Sequence, residues 1–345
     1  MIKANIARAG LIALLASASM FTISAAQAGS YSFNTYNNPG DTNFNQLLGI
    51  NNAGTIGGYF GDGAVVPNNG YTFVRPSTYT AENFPSSVQT QVVGINNLAN
   101  TITVGFYIDA AGDNVGFWKQ GSTYNSVSNP STPSSPPPSV NQLLGVNDSG
   151  VAAGFYNDSA GFSHGYTYNT GSNTFTPVTP PPAFGALSVQ ATGINNLGEI
   201  AGFFADSGGA FHGFLDNGGS FTKLDDPNGT NTQVFGLNNE GQAVGTFVDG
   251  AGETQGFVYN AGTYMTISDP NASGTPAFGV TGTFVNGIND HGDLVGFYSD
   301  GTNVNGFVAT PGVPEPATWA LMLLGFAGLS AATMRTRRRL GAVTA

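Results

Sequence analysis

The chain has 345 residues, 50 of them glycine and 19 proline, with no cysteine, 8% charged side chains and a formal net charge of −11. The missing cysteines exclude zinc ribbons, disulfide-stapled mini-domains and thiol enzymes, and the scarcity of Lys, Glu and Arg excludes long-helix and coiled-coil architectures. Hydrophobic residues at 40% and aromatics at 12% supply enough apolar surface for a buried core, cut by the glycines into short strands and tight turns.

Residues 1–28 read as a secretory signal peptide. Lys3 and Arg8 make a positive n-region, an apolar stretch runs from Ala9 to Ile23, and Ala26-Gln27-Ala28 has the small-x-small pattern of a cleavage site. The mature chain is then expected to begin at Gly29.

Residues 29–311 are expected to form one domain built from six copies of a single unit. Gly-apolar-Asn-Asn/Asp begins at Gly49, Gly94, Gly145, Gly193, Gly236 and Gly287, with spacings of 43 to 51 residues. A second glycine follows nine or eleven residues later with aromatics behind it, as in Gly58-Tyr59-Phe60 and Gly202-Phe203-Phe204. A third glycine–aromatic pair follows that, as in Gly165-Tyr166 and Gly213-Phe214. Each unit reads as four strands. In the first, Leu48 and Ile50 alternate onto one face and Leu47 and Gly49 onto the other.

A period of this length with four antiparallel strands has the dimensions of a β-propeller blade. The sixth unit stops at Phe307-Val308-Ala309 without a fourth strand, and an orphan strand, Tyr31 to Thr35, sits at the other terminus. It parallels Ser220 to Leu224 in the run of residues that follows it. The expected fold is therefore all-β: a six-bladed β-propeller of four-stranded blades closed by the N-terminal strand, which leaves no free sheet edge at the seam. The units resemble the HAF-type extracellular repeat, with its Gly-Ile-Asn-Asn, Gly-aromatic and His-Gly-Phe elements. His164-Gly165-Tyr166 and His212-Gly213-Phe214 match best, and Asn69, Val115, Gln255 and Asn305 replace the histidine elsewhere. The resemblance implies an extracellular repeat domain and carries no ligand or activity.

Two sets of polar residues share the sixfold repeat. Asn51, Asn96, Asn147, Asn195, Asn238 and Asn289 end the innermost strands, where they either bond turn backbone or rim a central channel and hold a ligand. Asp62, Asp109, Asp158, Asp206, Asp249 and Asp300 begin the second turn, where they cap backbone or offer carboxylates to a cation such as Ca2+; a calcium site needs six to eight oxygens, more than Asp-x-x-Gly provides. No cofactor, resident metal or catalytic residue is expected. No Gly-x-Ser-x-Gly elbow is present, and His164 and His212 fall in adjacent blades, too far apart for one zinc ion. Both read as partly buried strand residues. Asp225 and Asp226 read as a solvated loop rather than an acid–base pair. The recurrent strand aromatics read as packing between blades, and Tyr79, Phe84 and Phe184 as exposed loop aromatics open to a ligand.

Residues 312–345 read as a sorting tail: Val313-Pro314-Glu315-Pro316, an uncharged apolar run over 317–334, then Arg335, Arg337, Arg338 and Arg339. Eighteen residues at 1.5 Å each give a helix of about 27 Å, enough to cross a thin bilayer with the arginines on the cytoplasmic side. The tail resembles the PEP-CTERM sorting signal of Gram-negative bacteria, with Pro314, Glu315 and Pro316 as the motif and Arg337, Arg338 and Arg339 in the terminal cluster. The resemblance implies an exosortase as partner, anchoring in the inner membrane before processing, release to the cell surface or matrix, and an association with exopolysaccharide.

Six of the nine basic residues lie in these end segments. Arg75, Lys119 and Lys223 remain against nineteen of the twenty acidic residues, a net of about −16 over 29–312 that repels nucleic acid. The function expected is an exported, non-catalytic binding or structural module of the surface or matrix. The alternatives are a propeller hydrolase or lyase acting on carbohydrate, and a calcium-dependent assembly module.

Overall fold

The computed structural model describes residues 31–133 and 138–312. The signal segment 1–28, the sorting residues Pro314, Glu315, Pro316, Arg337, Arg338 and Arg339, and the span 317–334 lie outside the described residues. Among the described residues no helix is long and apolar enough to cross a membrane.

Among the described residues twenty-four strands form six separate four-stranded antiparallel sheets. Blade 1 is β2 (Asn45–Ile50), β3 (Thr55–Phe60), β4 (Asn69–Val74) and β5 (Thr78–Ala81), and blade 2 is β6 (Gln89–Ile95), β7 (Ile102–Ile108), β8 (Asn114–Gln120) and β9 (Thr123–Val127). Blade 3 is β10 (Asn141–Val146), β11 (Val151–Asn157), β12 (Ser163–Asn169) and β13 (Thr174–Pro177). Blade 4 is β14 (Ser188–Ile194), β15 (Ile200–Ala205), β16 (Phe211–Asn217) and β17 (Ser220–Leu224). Blade 5 is β18 (Gly229–Leu237), β19 (Ala243–Asp249), β20 (Thr254–Asn260) and β21 (Thr263–Ile267).

Blade 6 joins the two ends of the ring. Its order is β1 (Tyr31–Thr35), β24 (Val304–Pro311), β23 (Leu294–Ser299), β22 (Thr283–Ile288). β1 pairs antiparallel with β24 from Tyr31↔Pro311 to Thr35↔Phe307. Phe33 packs on Phe307 with ring centroids 5.4 Å apart, and the Tyr36 N–H donates to the Gly306 carbonyl at 2.8 Å. The expected strand closure and blade count are both present.

The hydrophobic core is divided among the seams between blades. Leu143, Val146, Ala152 and Tyr166 of blade 3 pack on Ile102, Val104 and Val127 of blade 2, and Leu47, Ile50 and Phe73 of blade 1 meet Val295 and Val308 of blade 6. Each fully buried side chain of this size contributes about 1.5–3 kcal/mol, so a blade owes its stability to its neighbours. The seam between blades 1 and 2 also buries an ion pair: the Glu82 carboxylate, 5% exposed, accepts from Lys119 Nζ at 3.0 Å and from the Thr72 and Thr103 hydroxyls.

The first strand of every blade departs from simple alternation. Pairing with the second strand slips between Leu47 and Gly49, Val92 and Gly94, Leu143 and Gly145, Ala191 and Gly193, Val234 and Gly236, and Val285 and Gly287. One extra residue therefore bulges in each copy: Leu48, Val93, Leu144, Thr192, Phe235 and Asn286. A bulge re-aims the side chain it carries. The glycine after it lies against the next blade. A Cβ on Gly145 would sit 2.9 Å from the Gly193 Cα, and one on Gly49 would sit 2.5 Å from the Val93 carbonyl oxygen.

Candidate functional site

At one end of the axis the six asparagines named above form a closed hydrogen-bonded hoop. Asn51 Nδ2 donates to the Asn96 carbonyl at 3.0 Å, Asn96 to Asn147 at 3.3 Å, Asn147 to Asn195 at 3.1 Å, Asn195 to Asn238 at 3.1 Å, Asn238 to Asn289 at 3.0 Å, and Asn289 back to Asn51 at 3.3 Å. Their Oδ1 atoms accept from the following turn, as with the Leu197 and Glu199 N–H groups on Asn195. That turn closes through Gly198 at φ +83°, a conformation glycine adopts without strain. All six asparagines are buried. Both ends of each amide are thus engaged within the protein.

A second hoop follows one residue later. The backbone N–H groups of Asn52, Asn97, Asp148, Asn196, Asn239 and Asp290 each donate to the side-chain Oδ1 of the next member, at 2.7 to 2.9 Å, the last returning to Asn52. Burial acts to raise the Asp290 carboxyl, and donors from Asn52 and Asn239 more than offset it, leaving it below the usual carboxylate range. The Asn-Asn/Asp pair in every repeat is the signal for both hoops, its first residue always Asn and its second Asn or Asp.

The six second-turn aspartates lie one per blade. Each Oδ1 accepts turn N–H groups, for example from Ala160 and Phe162 on Asp158, and from Ala111 and Asp113 on Asp109. Asp62 and Asp300 cap three and two such groups. In four blades the second oxygen takes the residue preceding the third glycine: His164 on Asp158 at 2.8 Å, His212 on Asp206 at 3.4 Å, Gln255 on Asp249 at 3.0 Å and Asn305 on Asp300 at 2.9 Å. This explains the polar side chain at that repeat position. His164 is more open than the sequence suggests, its side chain 45% exposed, whereas His212 sits between Asp206 and Asp225. Asp226 is a correction: it is 2% exposed, not solvated, because it caps the Asn228 N–H beneath the seam with blade 5. Among the described residues no three His, Asp or Glu side chains group to hold a metal ion.

The His164 ring, then the Phe162 and Ala160 N–H groups, hold the Asp158 carboxyl below its ordinary value. A depressed carboxylate contributes stability that is complete above the ordinary range near pH 4 and fades as pH falls through the lowered folded value. His164→Ala is therefore expected to move the Asp158 midpoint upward, toward 3.8. Carboxyl-carbon NMR over pH 2 to 6 reads this directly, and an unmoved midpoint would refute the assignment.

Among the described residues, cavities large enough for a small molecule include two. One, of about 330 Å³, lies on the axis and is lined by the bulged residues, the collar of glycines and Gln46, Gln91, Gln142 and Gln190. Ile50, Ile95, Val146, Ile194, Leu237 and Ile288 separate it from a shallow dish of about 60 Å³ at the asparagine end. The other, of about 590 Å³, is a groove between blades 3 and 4, walled by Tyr156, Tyr166, Phe175, Pro177, Leu187 and Val189 and edged by Asn129, Ser131, Ser163 and His164. The Tyr156 and His164 rings stack at 5.1 Å.

The linker that precedes each blade differs in composition. In blade 2 the ring equivalent to Tyr156 is Tyr107, covered by Phe84 at 3.8 Å with the rings nearly parallel, and in blade 4 Phe184 packs on Phe204 at 5.7 Å. Phe84 and Phe184 are thus wedges rather than exposed ligand aromatics, and Tyr79 likewise stacks on Phe73 at 4.5 Å. Residues 128–139, leading into blade 3, contain no aromatic residue, so that linker has no counterpart of Phe84 or Phe184.

No protein-family model and no curated protein sequence matches the chain. Among solved structures it is similar to the SapL1 lectin, determined in complex with alpha methyl fucoside, at TM-score 0.51 and 10% identity over 79% of this chain and 97% of that one. It is also similar to the six-bladed lectin of Aleuria aurantia at TM-score 0.44 and 12% identity, over 79% and 96% of the two chains. A sialidase of Trypanosoma rangeli gives TM-score 0.47 and 9% identity over 81% of this chain and 57% of that one.

Proposed function

We propose that the chain is an exported, non-catalytic carbohydrate-binding propeller of the cell surface or extracellular matrix, with the groove between blades 3 and 4 as its sugar site. The observation that carries this is the half-buried Tyr156 ring in the wall of the groove, stacked on His164 at 5.1 Å and edged by hydroxyl and amide groups. A pyranose has one apolar face and a rim of hydroxyls, which such a mixture of aromatic wall and convergent polar groups suits. The likeness to a lectin solved with a methyl fucoside concerns the fold and supports a carbohydrate reading without naming the sugar.

Export and sorting belong to the same proposal. Lys3, Arg8 and Ala26 to Ala28 support secretion. Pro314, Glu315, Pro316 and the terminal arginines support anchoring in the inner membrane and handling by an exosortase. Exopolysaccharide is the partner to test first.

The test is a glycan array and a polysaccharide pull-down with the purified chain and its Tyr156→Ala variant. Retention of neutral glycans by the native chain is expected, with at least tenfold weaker binding by the variant at a temperature below the melting transition of both. No retention, or equal retention by both, overturns the reading.

A further inference from the structure

Four of the linkers that lead into a blade make the same turn, at Asn38-Pro39, Asn129-Pro130, Asp226-Pro227 and Asp269-Pro270. In each, the side-chain Oδ1 accepts from the backbone N–H two residues on, at 2.9 Å. The backbone N–H of the same residue donates to a side-chain oxygen on the first strand of the next blade, in Asn45, Asn141, Thr232 and Thr283. Two linkers thus use a neutral amide where two use a carboxyl. Asp269 is 2% exposed and its Oδ2 has no hydrogen-bond partner. Ile267 and Ala272 on either side of it pack into the apolar seam between blades 5 and 6, with Val285, Tyr298 and Phe307. No cation answers it there. Strands β1 and β20 to β24 contain no Lys, Arg, His, Asp or Glu. Of the titratable groups around the linker, the Tyr298 phenol on β23 is raised by burial, with Asp269 and Asp300 adding to it, and so carries no charge. Asp300 and Glu253, on the two turns that flank the linker, have the same sign as Asp269. His291 lies at the far end of β22, in the turn of the asparagine hoop. Among the described residues Arg75, Lys119 and Lys223 pair with Asp293, Glu82 and Asp225 instead. The Asp226 turn differs in this respect, because Lys223 and His212 gather on the adjacent Asp225 at 3.1 and 2.7 Å, where the Asp269 turn has Ser268.

We propose that Asp269 is a proton-operated lock on the seam between blades 5 and 6, neutral in acid, where the seam is firm, and an unanswered buried charge at higher pH, where the seam is loosened. A carboxylate taken out of water with no cation to receive it favours its protonated form. Burial raises the Asp269 carboxyl above 3.8, against the opposing Asn271 N–H and Nδ2 donors. The folded ring therefore holds a proton that the unfolded chain gives up between 3.8 and the raised folded value. Stability from this group is complete below 3.8 and is lost as pH rises through the folded value. Depressed carboxylates such as Asp158 act with the opposite sign and at lower pH, which separates the two effects. The seam is the one beside ring closure: the Tyr298 hydroxyl on its blade 6 side pairs with Thr35 of β1 at 3.0 Å. A proton at Asp269 thus bears on how firmly the closing blade is seated. The lock is independent of the Tyr156 groove and of the carbohydrate reading.

The experiment has two arms on the purified full-length chain. Carboxyl-carbon NMR of the native protein reads the Asp269 midpoint directly, whatever becomes of a variant. Thermal melts of the native chain and Asp269→Asn are then compared between about pH 3 and about pH 8. Asparagine already stands at this turn in two other linkers, so Asp269→Asn is expected to fold. The expected midpoint lies above 3.8. The two proteins should melt together at the acid end. At the alkaline end the variant should melt higher, by roughly 3–5 °C for each pH unit by which the midpoint is raised. A midpoint at or below 3.8 overturns the lock. So does a melting difference between the two proteins that is the same at both ends of the pH range.

Discussion

Alanine in place of Gly49 is expected to destabilise the ring by about 3 kcal/mol or more, at the upper end of what overpacking costs. That corresponds to a melting temperature lower by roughly 6 °C or more. The added Cβ would lie 2.5 Å from the Val93 carbonyl oxygen and 3.3 Å from the Gly94 Cα. Both are backbone atoms of the next blade's first strand, so no rotamer change relieves the clash, and moving that strand disturbs its own contact with blade 3. The control is Gly250→Ala, where the Cβ meets nothing within 4 Å and φ is not positive. That change is expected to be neutral or to stabilise by up to about 1 kcal/mol through the unfolded chain. Thermal melts of both variants decide the matter, and equal melting would refute the close-approach argument.

Removing residues 31–36 is expected to have the larger effect. Blade 6 loses its outer strand, five register pairs, the Phe33–Phe307 contact and the 3.0 Å hydroxyl pair between Thr35 and Tyr298. With ladder bonds at about 1 kcal/mol each and the packing of Phe33 in addition, the loss is on the order of 5 kcal/mol. It also exposes the edge of β24, a template for pairing with another chain. Size-exclusion chromatography should show dimers and larger species, and a peptide spanning residues 31–36 should restore the monomer. A truncated chain that stays monomeric and melts within about 2 °C of the native one would show that β1 is dispensable.

The architecture was legible because the repeat advertises itself: three glycine anchors at near-constant spacing, and a strand missing from one terminus that reappears at the other. The bulge was not, because the alternation of the first strand suggests strict period two. The clue was present. Leu47 and Ile50, Val92 and Ile95, Leu143 and Val146 are three apart, yet each pair enters one core cluster or one buried set. Period two cannot put residues three apart on one face without an extra residue between them. The asparagines and aspartates recur once per unit in the sequence. Their bonding depends on how far one blade lies from the next, which no single repeat encodes. The groove at Tyr156 was written as a lack, the absence of any aromatic in residues 128–139, and a lack acquires meaning only once Phe84 and Phe184 are seen filling the corresponding places. Asp226 was misplaced because a proline neighbour suggests an open loop, whereas the Asp caps its own turn under the seam.

The seam in blade 6 also fixes an order of events. Ribosomes deliver the N-terminus first, and β1 precedes its partner β24 by about 270 residues, which at synthesis rates of about 5–20 residues per second means a wait of roughly 14 to 55 seconds. For that interval Tyr31 to Thr35 is a short adhesive ribbon with no mate of its own, while five sectors behind it are made one after another. Crowded nascent chains have that long to latch onto one another's final sheet instead, so exchanged-strand dimers are the assembly error this molecule invites, and a holdase masking its first few residues would suppress them.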